Sequence, residues 1–452
     1  MSIKSKNRII FQISTLGCKV NQYDSAVLKN LLLSGNFILA KNNKDLDLVI
    51  INSCSVTKTA ISKSRRLINY YKKKYPKSKI VLIGCWPKVY QVKNISSDLK
   101  VDLVLEERDL KKVSKSIEKI FFPNLKSSFR DNKRNKNKQD NFYCSNKINS
   151  IEDRSRYFIK VQDGCRQFCS YCIIPLARGP LLSRSSSDIV REITLAVKSG
   201  FSEIVLSGIH LGLYGQDFSF KKENLYSLLL KILKIKNIGR VRLSSIEVTE
   251  ISDDLIELIF KNRKMCRHLH IPLQSGSAKI LQLMNRPYTN KYFLNKINKI
   301  RKKIPNIAIS TDIIVGFPGE GVKEFRETYN FSKNIKFSKI HVFSFSAHEK
   351  TPAYFLPNHV DSFDIKSRSV KLRSLSLKSE KKYQQEIVFQ YKKNKENINL
   401  LIEGFSGDKL RAKTEFYFDL FLPEKKIINK YNKEGRQIDN MGMLGKIVNY
   451  KL

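Results

Sequence analysis

The chain has 452 residues, enough for two or three domains that each bury a core. Its apolar content of 41% is that of a globular protein. No window approaches the about 18 apolar residues of a membrane span, and no long apolar region follows Met1-Ser-Ile-Lys-Ser-Lys-Asn-Arg8, so a cytoplasmic protein without a membrane partner is expected. Lys and Arg number 84 against 41 Asp and Glu, a formal charge of +43 that attracts polyanions, although lysine and asparagine are abundant throughout and compositional bias supplies part of it. In that compartment eight cysteines read as metal ligands or reactive thiols rather than as disulfides.

The first segment repeats one pattern three times. Residues 9–14 read as a strand that runs into Thr15-Leu-Gly-Cys18, and 24–33 have helical apolar spacing. A second apolar strand, 46–52, ends in Ser53-Cys54-Ser55 before a basic helix at 57–75. A third, 80–83, ends in Gly84-Cys85-Trp86-Pro87. Each strand delivers one cysteine just past its carboxyl end, and the spacings of 36 and 31 residues are about one βα unit. In an open parallel α/β sheet those ends share the edge where ligands bind, so Cys18, Cys54 and Cys85 form a candidate metal site. The alternative is three small buried core thiols.

A further strand is expected at 101–105 and a helix at 110–122. Residues 124–150, dense in Lys, Asn, Ser and Arg, read as a basic linker, and Cys144 within it has no partner pattern.

After the strand-like run 157–161 comes Cys165-Arg-Gln-Phe-Cys169-Ser-Tyr-Cys172. Three thiols at this spacing can hold one face of a four-iron cluster and leave one iron open for chemistry. A zinc knuckle would need a fourth ligand, and no His or Cys follows closely. From there strands and helices alternate through 344, giving six βα units of a partial parallel barrel. The strand ends carry Ser207-Gly208-Ile-His210, Ser244-Ser-Ile-Glu247, Gln274-Ser-Gly276 and Gly316-Phe-Pro-Gly-Glu320, polar and small where barrel chemistry sits. Ser207 and Gly208 allow close approach of a bulky ligand, and Glu247 and Gln274 suit its amine or hydroxyls. The last motif alone reads as a tight turn, His268 and His270 as packed strand residues, and Cys266 as a packed thiol.

The final 70 or so residues read as a small antiparallel β-domain, with strands at 399–403, 409–422 and 443–450. Thr414-Glu-Phe-Tyr-Phe-Asp-Leu-Phe421, flanked by Lys409, Arg411 and Lys413, combines aromatic faces with positive charge, as single-stranded RNA binding requires; the same alternation would also fill a small β-core.

The Cys165–Cys172 loop resembles the radical S-adenosylmethionine signature, and its context is narrower. Thr15-Leu-Gly-Cys18-Lys-Val-Asn-Gln-Tyr-Asp24, Asn52-Ser-Cys54, Gly84-Cys85 and Cys172-Ile-Ile-Pro-Leu-Ala-Arg-Gly179 are similar to the methylthiotransferases of that superfamily. The strand-end motifs through Glu320 continue the match. Cys18-Lys-Val-Asn-Gln22 is similar to the type acting on N6-threonylcarbamoyladenosine in tRNA.

The resemblance implies an α/β fold of three domains and a linker: an open parallel domain at 1–123, the linker at 124–150, a partial (βα)6 barrel at 151–380 and an RNA-binding TRAM-like β-domain at 381–452. Thr414-Glu-Phe-Tyr417 departs from that domain's usual segment. It further implies two [4Fe-4S] clusters. The one on Cys165, Cys169 and Cys172 would bind S-adenosylmethionine and, once reduced, cleave it to a 5′-deoxyadenosyl radical; the one on Cys18, Cys54 and Cys85 would carry the sulfur to be methylated and transferred. The implied partners are the tRNA anticodon stem-loop and an electron donor such as a flavodoxin-type reductant. The same chemistry on N6-isopentenyladenosine is the nearest alternative, and a non-catalytic iron–sulfur RNA-binding protein the alternative of another class.

Overall fold

The structure is a computed structural model that describes residues 8–41, 45–90, 99, 101–123, 155–219, 223–424, 427 and 441–452. The expected basic linker, with Cys144, lies outside the described residues. The described residues form two units, one drawn from Met1–Asn149, Asp163–Asp188 and Ser346–Thr351, the other from Ser150–Gln162, Ile189–Phe345 and Pro352–Leu452.

In the first unit β1 (Ile9–Thr15), β2 (Phe37–Leu39), β3 (Leu48–Ser53), β4 (Lys79–Gly84) and β5 (Leu103–Val104) form one parallel sheet in the order β2-β1-β3-β4-β5. Helices α1 (Lys19–Leu33), α2 (Lys58–Lys74), α3 (Cys85–Val89) and α4 (Leu110–Phe121) follow its strands. Central β3 is buried at every position, as an unbroken apolar run between two helical layers should be. One face packs Val49, Ile51, Ile80 and Leu82 against Ile68 and Tyr71 of α2. Phe37 of β2 meets Phe11, Phe121 and Phe122 edge-on. Helix starts are set by side-chain caps: Thr57 accepts the Ala60 N–H, and Asp109 those of Lys111 and Lys112.

In the second unit β6 (Tyr157–Asp163), β7 (Glu203–Gly208) and β8 (Arg240–Leu243) pair in parallel, as do β9 (His268–His270), β10 (Ala308–Val315) and β11 (Lys339–Ser344). Parallel bridges Val241–Met265 and Ser245–His270 join the two ladders, giving the expected six parallel strands in series. The crossover helices are α6 (Ser186–Lys198), α7 (Leu225–Leu233), α8 (Asp253–Lys261), α9 (Ala278–Leu283), α10 (Asn290–Lys303) and α11 (Val322–Ile335), numbered after a short α5 (Ile174–Arg178) in the first unit. Strand β9 is short, with Pro272, which has no N–H to give a ladder, two residues on. His268 and His270 pack as expected, each against the Ser310 hydroxyl at 3.0 and 2.9 Å. Edge strand β11 is covered by a 32-residue helix, α12 (Ser362–Lys393), whose Ser376 hydroxyl accepts the Ile340 N–H and donates to the Ile340 carbonyl.

The C-terminal strands β12 (Asn397–Ser406), β13 (Lys409–Thr414), β14 (Asp419–Pro423) and β15 (Ile447–Lys451) form an antiparallel sheet in the order β14-β13-β12-β15. The expected single strand at 409–422 is broken by a turn in which Tyr417 adopts φ +73°. Of the two readings open for its aromatics, the small β-core is the one that holds for Phe416 and Phe418. Phe416 and Phe418 are core residues, and Tyr417 stacks on His268 at 4.7 Å with the Arg242 guanidinium 4.9 Å above its ring. Of that run, Phe421 is the large aromatic left exposed.

A polar node ties this sheet to the amino ends of β7 and β8. The fully buried Glu203 carboxylate accepts from Arg240 Nε at 2.5 Å and Arg242 Nε at 2.7 Å. Their outer nitrogens donate to the carbonyls of Asn399, Lys413, Thr414 and Glu415 at 2.9–3.1 Å. Among the described residues no helix is long and apolar enough to cross a membrane.

Candidate functional site

Parallel register brings the first three cysteines to one edge. Thr15 stands opposite Asn52, and Ser53 opposite Gly84, so the chain leaves all three strands at one level and enters Cys18, Cys54 and Cys85. Gly17 and Gly84 have φ of +101° and +99°, which only glycine adopts readily, and a Cβ at Gly17 would lie 2.9 Å from that of Cys54. Two asparagines lock the edge: Asn21 Nδ2 donates to the Leu16 and Ser53 carbonyls, and Asn52 Nδ2 to the Asn21 carbonyl and the Ser25 hydroxyl, all at 2.8–3.0 Å. His348, in the Ser346–Thr351 segment, places Nε2 2.8 Å from the Ser55 carbonyl.

The second cysteine set lies in the same unit. Beyond β6, Gly164 turns the chain at φ +73°, and the Cys165 N–H donates to the Gly179 carbonyl at 3.0 Å, closing the loop on itself. The Gln167 N–H points at Cys165 Sγ, 3.4 Å away, and the Cys172 N–H donates to the Cys169 carbonyl. Cys169 is buried, and Cys165 and Cys172 are half-buried. The two sets are neighbours: Cys85 and Val89 of α3 form a small apolar cluster with Ile173, next to Cys172, and with Ala177 of α5.

Arg178 sits where they meet. Its buried guanidinium donates to Cys85 Sγ at 3.3 Å, to Asp24 at 2.9 Å, to Asp163 at 3.1 Å and to Asn21 Oδ1. Burial works against this charge, but Asp163, Cys85 and Asp24 outweigh it and fix the proton more firmly than in water. Burial pushes the Cys54 thiol up to about 11 and raises that of Cys85 against the pull of Arg178. Both thiols are therefore protonated at neutral pH until a metal displaces the proton. Among the described residues no three His, Cys, Asp or Glu side chains close on a single ion, and a four-iron cube takes its ligands from wider apart. Cys18, Cys54 and Cys85 act on one another electrostatically and Cys165, Cys169 and Cys172 share one short loop; with a backbone N–H on sulfur in one set and a guanidinium N–H in the other, both donor sets suit such a group.

In the second unit, Ser207 is buried and its hydroxyl has no partner among the described residues. Gly208 lies against Gln162, whose Oε1 accepts the His210 N–H at 2.8 Å, and a Cβ at Gly208 would come within 3.0 Å of that oxygen. Gln274 takes φ +65° and uses its backbone to bridge β10, with its N–H on the Asp312 carbonyl. Glu247 is ion-paired with Arg286, which also donates to the Tyr288 hydroxyl at 3.2 Å. Glu320 closes its turn by accepting the Gly316 N–H at 2.9 Å and pairs with Arg368 of α12 at 2.7 Å.

Residues 159–332 match the radical SAM superfamily, and residues 10–106 match an uncharacterized protein family, UPF0004. The fold is similar to the radical S-adenosylmethionine methyltransferase TsrM of Kitasatospora setae, with a TM-score of 0.56 and 13% identity over 77% of each chain. The sequence is 36% identical over 375 residues to the threonylcarbamoyladenosine tRNA methylthiotransferase MtaB of Bacillus subtilis, covering 82% of this chain and 80% of that one. It is 32% identical over 408 residues to the tRNA-2-methylthio-N(6)-dimethylallyladenosine synthase of Carboxydothermus hydrogenoformans, covering 88% of each. The chain therefore belongs to the radical S-adenosylmethionine methylthiotransferases, a family whose chemistry requires a [4Fe-4S] cluster and S-adenosylmethionine.

Proposed function

We propose that this enzyme adds a methylthio group to C2 of N6-threonylcarbamoyladenosine beside the anticodon of tRNA, working in the cytoplasm. Cys165, Cys169 and Cys172 hold the [4Fe-4S] cluster that binds S-adenosylmethionine, and Cys18, Cys54 and Cys85 hold a second one. The observation that carries this reading is the placing of both thiol triads in one unit, with Arg178 reaching from the end of the signature segment to Cys85. When bound, the clusters with S-adenosylmethionine supply one-electron chemistry at a carbon–hydrogen bond, which no acid–base side chain attains. A flavodoxin-type donor suits the electron supply.

The protein's own residues position and shield. Gly17, Gly84, Asn21 and Asn52 fix the three strand ends, and burial of Cys54, Cys85 and Cys169 keeps water from the sulfurs. Ser207, Gly208, Glu247 and Gln274 lie at carboxyl ends of barrel strands, where the methionine and ribose groups of S-adenosylmethionine would need donors and acceptors. The charge of +43 suits a polyanionic substrate.

Nucleoside mass spectrometry of tRNA from cells with and without the enzyme tests the substrate. Loss of the 2-methylthio form of threonylcarbamoyladenosine is expected, and loss of the 2-methylthio isopentenyl nucleoside instead would overturn the reading. Anaerobically reconstituted protein should carry about eight irons, and the Cys18→Ala, Cys54→Ala, Cys85→Ala variant about four. An unchanged iron content in that variant would remove the second cluster.

A further inference from the structure

Two cations near the thiol triads make no direct ion pair among the described residues, although Asp163 attracts both from a distance. Lys88 lies one turn beyond Cys85 on α3, half-buried, and makes neither a hydrogen bond nor an ion pair there. Arg108 is half-buried, and its Nη2 is closed off from solvent without a partner. Its guanidinium covers Gly179, where an added Cβ would lie 3.4 Å from Nη2, and the Gly179 carbonyl is the acceptor for the Cys165 N–H. The pair thus flanks both triads, Lys88 from the Cys85 helix and Arg108 from the peptide that holds Cys165. Arg178 differs, because Asp24 and Asp163 already neutralise it.

The distant pull of Asp163 does not offset burial at either cation, so half-burying the two like charges stays unfavourable unless an anion pairs with them directly. The Lys88 ammonium registers this: burial first, then repulsion by Arg108 and Arg178, lower it to about 8. The two adenosines named for the relatives differ where these cations would matter, since a threonylcarbamoyl substituent carries a carboxylate and a dimethylallyl group is uncharged and apolar.

We propose that Lys88 and Arg108 form the carboxylate-recognition site for the threonyl group of the substrate nucleoside and so select it over apolar N6 substituents. This rests on the substrate assigned above and adds the residues that choose it. Arg108 provides the planar fork that pairs with a carboxylate, and Lys88 a mobile point charge at its side.

The binding test uses the reconstituted full-length enzyme and three anticodon stem-loop RNAs, with threonylcarbamoyladenosine, its methyl ester, or plain adenosine at the modified position; a fourth, with isopentenyladenosine, is used beside the first in a turnover assay read by nucleoside mass spectrometry. Anaerobic fluorescence anisotropy should show the wild type binding the free carboxylate about ten-fold or more tighter than the ester or plain RNA. Lys88→Met and Arg108→Met should abolish that preference while leaving affinity for plain RNA unchanged, and Arg108→Lys should restore part of it. Iron content and thermal melting show that the variants are folded; if either methionine variant is not, Lys88→Gln and Arg108→Gln replace them. Equal weakening of all three RNAs would mean that the cations bind the phosphate backbone and would overturn the proposal, as would an unchanged preference. A wild type that methylthiolates an isopentenyl stem-loop and not the threonylcarbamoyl one refutes the substrate assignment. Correct substrate choice with a preference indifferent to both substitutions refutes this inference alone.

Discussion

Arg178→Met lowers the unfolding free energy of the metal-free first unit by about 3–5 kcal/mol, because it leaves the carboxylates of Asp24 and Asp163 buried without their cation. The methionine fills much of the space but donates nothing to Cys85, Asn21, Asp24 or Asp163. Arg178→Lys keeps the charge yet cannot reach four acceptors from a planar fork, so it recovers part of the loss. Trp86, the single tryptophan, is buried in this unit beside Cys85, so its fluorescence in a urea titration reads the right event. A midpoint unchanged by Arg178→Met would show that the pairs contribute nothing net.

Glu203→Gln loosens the C-terminal sheet by a similar about 3–5 kcal/mol, since two buried guanidiniums lose their shared counterion. Amide hydrogen exchange should show β12 and β13 opening more readily while strands of the first unit keep their protection. Protection unchanged in β12 and β13 would assign the docking to the four backbone carbonyls alone. The pH dependence follows from the same geometry. Burial alone would raise the Glu203 carboxyl, but Arg240 and Arg242 outweigh it and hold it far below the ordinary carboxylate range. A depressed folded value stabilises above the unfolded carboxylate range and is lost only as pH falls through the folded one, so this node survives acid that protonates surface carboxylates.

The strand-end cysteines were legible because each ends an apolar run at a small residue, and three repeats of one strand-then-cysteine pattern are hard to produce by core packing. The partners of those cysteines were not legible. Asn21 reaches Ser53, and Arg178 reaches Asp24, across 32 and 154 residues that only the fold brings together. Lys88 and Arg108 had no local signal in a chain where lysine is everywhere. Helix α12 escaped notice because few of its 32 residues are buried apolar ones, too sparse for a 3.6-residue stripe, and β2 is too short to show alternation. The aromatic run at 414–421 matched two surfaces equally well, and the backbone turn at Tyr417 decided between them.

The composition of the first unit has a bearing on synthesis. Its sheet is complete by Val104, yet Arg178 and the His348 segment that finish it are made much later. As the chain emerges from the ribosome, Asp24 waits without the Arg178 guanidinium and the Ser55 carbonyl without His348 while the intervening strands are translated. The amino-terminal sheet is therefore left incomplete, with a buried carboxylate unpaired, until residues far along the chain have been translated.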